Sequence, residues 1–155
     1  MTQIPDADRI EKQILLRAPR TRVWTALTDP EQFGAWFGCE LAGPFKPGEK
    51  LRGRITAKGY EHLTMELAVE RVHPETALAF RWHPYAIEVD VDYSSEPMTL
   101  VQFELEEREG GTLLKVVESG FEQIPIARRA TAFRMNGDGW SAQVKNIERY
   151  LGQTR

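Results

Sequence analysis

Cysteine and histidine, which often act as nucleophiles and bases near neutral pH, are few in this sequence: one cysteine and three histidines. A nucleophilic Cys39 would need a neighbouring base or a depressed thiol pKa, and no histidine lies near it in the sequence. We therefore expect Cys39 to be a buried or half-buried structural thiol. His73 precedes a proline in a predicted turn and is expected on the surface, whereas His62 begins a strand and can face either side.

His83 is the histidine best placed for chemistry, because it ends a predicted strand directly after Trp82 and lies close to Tyr85. An imidazole has an unperturbed pKa of about 6.5, which suits a general base or a group that orients a polar ligand. The competing interpretation, which we prefer at this stage, is a surface histidine at a strand end.

Acidic residues suggest two different environments. Glu88, Asp90 and Asp92 alternate with apolar residues and could suggest a divalent-cation site. An EF-hand loop needs a glycine and a terminal glutamate at fixed offsets, and both are missing. We expect a solvated face of an extended segment and no metal site. Glu118 differs, because its preceding neighbours are apolar and one face of its strand must point inward.

Large aromatic side chains are the third feature with functional potential. Such residues usually fill the core of a domain, and that is the competing interpretation here. Pockets for small molecules are, however, mostly apolar with a few polar groups. We predict that several of the aromatic residues line a cavity. The predicted ligand-binding residues are Trp36, Phe37, Phe80, Trp82, His83, Tyr85, Phe103, Glu118, Phe121, Phe133, Gly137 and Trp140. No catalytic residue and no cofactor are predicted.

Length, charge and composition exclude several classes of protein. At 155 residues the chain has the length of one domain, predicted to span residues 1–155. Twenty Lys and Arg against 23 Asp and Glu give a net charge of −3, which argues against nucleic-acid partners. The N-terminal residues lack the apolar run of a signal peptide, and no apolar run is long enough for membrane insertion. With a single cysteine and so no internal disulfide, we expect a cytoplasmic protein.

The periodicity of the sequence predicts the order of its elements. Residues 10–17 alternate loosely and predict a first strand. Pro19 and the Asp29-Pro30 pair mark the starts of two short helices, the second of which is aromatic and ends at Gly38. Further on, a period of two with short turns predicts an antiparallel sheet. Its exception is the long connection over residues 83–97.

The last segment carries one apolar stripe with alternating spacings of four and three residues. Residues 136–139 include two glycines and would ordinarily suggest a break between helices. Because the stripe keeps its phase across them, we predict one helix from about residue 125 to residue 151. Glycine costs a helix about 1 kcal/mol, so Gly137 on the inner face needs a reason, and space is the one we favour. The stripe comprises Ile126, Ala130, Phe133, Gly137, Trp140, Val144, Ile147 and Leu151.

This order of elements resembles the helix-grip architecture of the START-like (SRPBCC) superfamily. Local motifs are similar to the family named for the activator of the heat-shock protein 90 ATPase, over about residues 11–151. These motifs are Ala18-Pro19-Arg20, residues 23–31, Trp36-Phe37, residues 103–106, Gly110-Gly111-Thr112, residues 118–121 and Gly139-Trp140.

The resemblance implies an α+β fold, in which a curved antiparallel sheet wraps around a long C-terminal helix and two short helices follow the first strand. It also implies a cavity between sheet and helix, which across the superfamily holds lipids, polyketides or plant hormones. The co-chaperone that gives the family its name has an additional N-terminal domain, for which this sequence has no room. We therefore do not carry its function over to this chain.

Three functions remain open from the sequence. The first is binding of an apolar or aromatic small molecule without catalysis. The second is an enzyme of the aromatase/cyclase type, for which only His83, Glu118 and Tyr85 could supply acid and base groups. The third is a chaperone-associated interaction module, which would need an exposed patch that the sequence does not display. Binding of a hydrophobic small molecule is the function we favour.

Overall fold

The computed structural model describes residues 9–84 and 92–153, which form seven strands and three helices. The strands are β1 (Arg9–Leu16), β2 (Cys39–Ala42), β3 (Lys50–Ile55), β4 (Thr64–His73), β5 (Ala77–Trp82), β6 (Thr99–Arg108) and β7 (Gly111–Ser119). The helices are α1 (Arg20–Thr28), α2 (Pro30–Phe37) and α3 (Ile126–Gln153), and a 3₁₀ turn covers Phe121–Gln123. No helix of residues 9–84 and 92–153 is long and apolar enough to cross a membrane.

All seven strands join one curved antiparallel sheet in the order β1-β7-β6-β5-β4-β3-β2. The first strand in the sequence, β1, therefore pairs with the last strand in the sequence, β7, and Ile10 lies opposite Glu118. The predicted fold class is confirmed. Strand β2 was not predicted, since four residues with a single buried side chain, Cys39, are too few to show a period of two.

Helix α2 ends where the sequence indicates, and it lies very close to the strand that follows it. Gly38 closes the helix with a φ of 99°, a left-handed conformation that favours glycine. A Cβ atom built on Gly34 would lie 2.2 Å from the carbonyl oxygen of Cys39, so that only glycine fits at this contact. This close approach fixes the position of Phe37 at the end of α2.

Helix α3 is a single helix, as predicted, and packs against β1 and α2. The predicted stripe is corrected at its start: Ile126 is 80% exposed, Ala130 is also exposed, and Ile124, just before the helix, occupies the core instead. The packed face begins at the fully buried Ala132 and continues to Leu151. Gly137 lies next to β1, since a Cβ atom built on it would be 4.0 Å from Ile10 Cδ1.

Replacing Gly137 or Gly139 of α3 by alanine should stabilise the protein. A Cβ on Gly137 would make an ordinary van der Waals contact with Ile10, and a Cβ on Gly139 would meet nothing within 4 Å. Each substitution removes backbone freedom from the unfolded chain, so we expect a gain of about 0.5–1 kcal/mol in the free energy of unfolding. Urea titration followed by circular dichroism measures it. A loss of stability in Gly137→Ala alone would mean that Ile10 packs more tightly than the structure indicates.

Candidate ligand-binding site

A cavity of about 460 Å³ lies between α2, the strands β3 to β5 and α3. Its apolar wall is formed by Phe37 from α2, Ile55 and Met65 from the sheet, and Trp82 at the end of β5. The other lining residues are Arg52, Tyr60, Leu63, Thr64, Glu66, His83, Pro84, Asp92, Tyr93, Ser94 and Asn136. Apolar walls with a few polar groups are typical of small-molecule sites.

His83 is a cavity-lining residue with a defined hydrogen bond. Its Nε2 lies 3.1 Å from the carbonyl oxygen of Glu96. A carbonyl oxygen only accepts hydrogen bonds, so Nε2 carries the hydrogen and, in the neutral ring, Nδ1 is the acceptor. Burial of the ring is only partial, which leaves His83 able to contact a molecule in the cavity.

Behind the cavity, Glu118 is fully buried and accepts hydrogen bonds from four side chains. Its Oε1 accepts from Trp140 Nε1 at 2.8 Å, and its Oε2 accepts from Trp82 Nε1 at 2.8 Å and from Thr99 Oγ1 at 2.5 Å. Asn136 Nδ2 donates to both oxygens at 3.0 Å. Trp82 and Asn136 also line the cavity, so that Glu118 holds two of its wall residues in place.

All partners of Glu118 among the described residues are neutral. Burial raises the pKa of this carboxyl above its usual value, while the hydrogen bonds from Thr99, Trp82, Trp140 and Asn136 act in the opposite direction. The indole and amide N–H groups can only donate. A proton on Glu118 can be accepted by the hydroxyl oxygen of Thr99, which lies 2.5 Å from Oε2.

The buried carboxyl predicts a specific pH dependence of stability. Because the folded-state pKa of Glu118 lies above 4.5, the unfolded chain releases this proton first as the pH rises. Stability from this group is thus fully present below pH 4.5 and decreases as the pH rises through the folded-state pKa, by at most about 1.4 kcal/mol per pH unit. Urea titrations of the wild type and Glu118→Gln at a series of pH values give the difference between their free energies of unfolding, which isolates the contribution of Glu118. A difference that stays constant with pH would contradict this prediction.

The structure brings most of the predicted aromatic residues into one cluster, of which only part reaches the cavity. Phe37 and Trp82 form the cavity wall, and Trp140 stacks on Trp82 with ring centroids 5.7 Å apart. Phe80 and Phe103 lie beneath Trp82 and Trp140 and are fully buried. The cluster is therefore both core and cavity wall.

The remaining predicted residues lie away from the cavity lining. Trp36 is buried and donates to the carbonyl oxygen of Ala26 at 2.8 Å. Phe121 and Phe133 form a separate edge-to-face pair, and Gly137 faces Ile10 rather than the cavity. Tyr85 lies outside the described residues. Direct ligand contact by any of the predicted residues stays a prediction.

The other reactive side chains have structural surroundings. Cys39 is buried, and burial raises the pKa of its thiol to about 12, which removes it as a nucleophile near neutral pH. His62 and His73 are exposed. Of the acidic triplet, Glu88 and Asp90 lie outside the described residues, and Asp92 accepts a hydrogen bond from the backbone N–H of Ser94 at 3.0 Å. Within the described ranges no group of three metal-ligating side chains could hold an ion.

Sequence reasoning missed two polar members of the site, Thr99 and Asn136. Asn136 carries a usable signal: asparagine is a poor helix former, and this one lies four residues before Trp140, on the same helix face. Leu63 and Met65 also line the cavity and were not among the predicted residues. Their side-chain types are the same in a wall and in a core, so the sequence carries no signal that separates the two.

A second depression, of about 600 Å³, is larger but less suited to an apolar ligand. It lies on the surface between residues 17–20 and 107–111. Its lining is mainly charged side chains and turn backbone, with Arg17, Arg20 and Arg108 beside Glu107 and Glu109. We therefore place the candidate site in the aromatic-walled cavity.

The curved sheet, the two short helices and the long helix that closes an apolar cavity define a helix-grip domain of the START-like (SRPBCC) kind. Residues 17–152 match the family model described as "Activator of Hsp90 ATPase homolog 1-like protein", and the chain belongs to this family. The resemblance seen in the sequence is thereby confirmed. A comparison with curated proteins finds no match.

Solved structures share this fold over most of the chain. The crystal structure of DynU16, from the dynemicin biosynthetic locus, is 27% identical with a TM-score of 0.73. The similarity covers 96% of this chain and 48% of DynU16, so this chain spans about half of that protein. Protein MLL2253 from Mesorhizobium loti is 23% identical with a TM-score of 0.75, covering 95% and 98% of the two chains. The Aha1 dimer from Colwellia psychrerythraea is 14% identical with a TM-score of 0.67, covering 90% and 92%.

Proposed function

We propose that the protein binds a largely apolar, ring-containing small molecule in the cavity and leaves it chemically unchanged. The observation that carries the proposal is the cavity itself, about 460 Å³ in volume with Phe37 and Trp82 in its wall. Ligand sites typically measure about 300–1,000 Å³. Membership of a helix-grip family, whose cavities commonly hold hydrophobic molecules, supports the same assignment.

The expected affinity follows from the apolar surface that a ligand buries. Burial contributes roughly 25 cal/mol per Å², from which the costs of association must be subtracted. For a ring system of two or three rings we expect a dissociation constant on the order of micromolar. No charged anchor is needed for this affinity.

The direct test uses N-phenyl-1-naphthylamine, a neutral apolar dye whose emission increases in apolar surroundings. We expect saturable enhancement of its emission, together with a change in tryptophan emission because Trp82 lies in the cavity wall. A bound ligand should also raise the melting temperature, since it binds only the folded state. The proposal would be overturned if neither the dye nor a panel of hydrophobic molecules changed the dye emission, the tryptophan emission or the melting temperature.

A cavity-filling variant ties this binding to the cavity. Ile55 lines it and is half-buried, so Ile55→Trp should weaken dye binding about tenfold by occupying ligand volume. Val72 is also half-buried but does not line the cavity, and Val72→Trp is the matched control. We expect Val72→Trp to bind the dye as the wild type does. Equal weakening in both variants would instead indicate a general loss of packing.

A cyclase-type enzyme is the second candidate, and the dynemicin-locus origin of DynU16 is the observation that favours it. Acid–base catalysis requires groups that reach the substrate. Glu118 has no exposed surface and its oxygens are occupied by four donors, so His83 would have to act without it. Turnover of a polyketide-like substrate that disappears in His83→Ala would establish this alternative over simple binding.

A chaperone-associated role has the family name as its support. The exposed large apolar side chains among the described residues are Leu15, Tyr60 and Ile126, which come from three separate parts of the chain. An interaction surface normally needs a contiguous patch. We therefore rank this role below ligand binding.

A further inference from the structure

The side chain of Asn136 lies between the buried carboxyl of Glu118 and the cavity. It lines the cavity, and its Nδ2 donates to both carboxyl oxygens of Glu118 at 3.0 Å. The nitrogen and the oxygen of an amide group are bonded to the same carbon and point in different directions within one plane. With Nδ2 directed at Glu118, Oδ1 is therefore directed away from it.

The oxygen of this amide has no partner within the protein as described. No donor among residues 9–84 and 92–153 forms a hydrogen bond with Asn136 Oδ1. Nor, among the described residues, is Oδ1 one of the side-chain atoms that are sealed from solvent without a partner. Asn136 thus offers a hydrogen-bond acceptor that a molecule in the cavity can reach.

Glu118 prevents the amide from turning over. A reversed amide would place Oδ1 against the carboxyl oxygens, an acceptor facing acceptors. A protonated carboxyl keeps this constraint when it donates its proton to Thr99 Oγ1, which lies 2.5 Å from Oε2. Trp82 and Trp140 hold the carboxyl itself in place from either side. Apart from Glu118 itself, no ionisable side chain among the described residues takes part in this group of hydrogen bonds.

From this geometry we propose that the cavity selects ligands that carry a hydrogen-bond donor, a hydroxyl or N–H group on an apolar ring system. Asn136 Oδ1 accepts that hydrogen bond, and Glu118 is the positioning residue that presents it. The inference rests on the proposed function, because it names the ligand class of the same cavity. A buried amide oxygen left without a donor carries a desolvation cost, which is why such a site discriminates against ligands that lack one.

Three naphthalenes that differ in one substituent test the inference by displacement of N-phenyl-1-naphthylamine. 2-Naphthol offers a donor, 2-methylnaphthalene offers neither donor nor acceptor, and 2-acetylnaphthalene offers only an acceptor. Hydration differences between them are removed by comparing the wild type with Asn136→Leu. We expect the ratio of the methylnaphthalene to the naphthol dissociation constant to be about tenfold higher in the wild type than in Asn136→Leu.

Asn146→Leu is the matched control, because it makes the same change on the same helix. Asn146 hydrogen-bonds to Gln143 and Arg149 and does not line the cavity. The naphthol preference should be unchanged in this variant. Equal loss of preference in both variants would show that the effect comes from the helix and not from the amide at the cavity.

Glu118→Gln tests the positioning role with a readout that a merely structural residue would not change. In either orientation, the amide nitrogen of the introduced glutamine would replace an oxygen that now accepts from Asn136 Nδ2. Asn136 then turns its oxygen toward residue 118 and its NH₂ toward the cavity. In the wild type, the outward-facing Oδ1 should favour 2-methylnaphthalene over 2-acetylnaphthalene, and we expect this preference to reverse in Glu118→Gln.

The possible failures are distinguishable. If the dye and all three naphthalenes fail to bind the wild type, the proposed function is overturned and this inference with it. If they bind and the naphthol preference is the same in the wild type and in Asn136→Leu, the cavity binds apolar molecules but the donor selection is overturned. Should Asn136→Leu not fold, the reversal in Glu118→Gln decides the question alone.

Discussion

Glu118→Leu should reduce the free energy of unfolding by about 3–5 kcal/mol, a large part of the roughly 5–15 kcal/mol of a typical domain. The leucine would leave the indole N–H groups of Trp82 and Trp140 buried without an acceptor. Each such unpaired donor costs about 1–3 kcal/mol. Thr99 and Asn136 lose their acceptor too.

Glu118→Gln should also destabilise the protein, by about 2 kcal/mol, although the two side chains have the same shape. An amide nitrogen at the Oε1 position would face Trp140 Nε1, and one at the Oε2 position would face Trp82 Nε1. Both orientations therefore leave one indole donor unpaired. Only a carboxyl group offers acceptors on both sides.

Guanidinium titrations of the two variants and of Glu104→Gln measure these losses. Glu104 is an exposed residue of β6, so its change to glutamine should stay within about 0.5 kcal/mol of the wild type. A Glu118→Gln protein as stable as Glu104→Gln would show that the indole hydrogen bonds do not stabilise the fold.

The second large effect is expected at Gly34, where Gly34→Ala should reduce the free energy of unfolding by about 3 kcal/mol. The added Cβ would lie 2.2 Å from the carbonyl oxygen of Cys39, and backbone atoms cannot move aside as a flexible side chain can. Helix α2 would have to shift, and Phe37 would move with it. Dye binding should therefore weaken along with stability.

Gly139→Ala is the control for this change, because it also replaces a helix glycine by alanine. Nothing lies within 4 Å of a Cβ at that position, so its effect should have the opposite sign. The two variants together separate the steric effect from the general preference of helices for alanine. Two alanine variants of equal stability would contradict the close approach of α2 and β2.

The course of α3 was predictable because its signal extends over many residues. A stripe with one constant phase from Phe133 to Leu151 is stronger than the local break signal of two glycines. The stripe was wrong over its first turn, where Ile126 and Ala130 are exposed. A helix end has neighbours on one side only, and the sequence does not state how far the sheet beneath it extends.

The candidate site was predictable only in part. The apolar neighbours of Glu118 singled it out but left its orientation open, and its four partners come from β5, β6 and α3. The register of the strands brings these partners together, because it pairs Trp82 with Thr99 across β5 and β6, and Val101 with Glu118 across β6 and β7. Register depends on the whole sheet, so the network around Glu118 could not be read from the spacing of its members.

The pairing of β1 with β7 has a consequence for how the protein is made. The two strands pair along the full length of β1, from Arg9 opposite Ser119 to Leu16 opposite Thr112, although they come from distant parts of the sequence. During synthesis on the ribosome, β1 emerges first and has no strand partner until β7 has followed it. Contacts between such distant segments carry a high loop-closure cost and slow the folding rate. The buried side chains of β1, Ile10 and Leu16, are therefore shielded only late, when most of the chain has been translated.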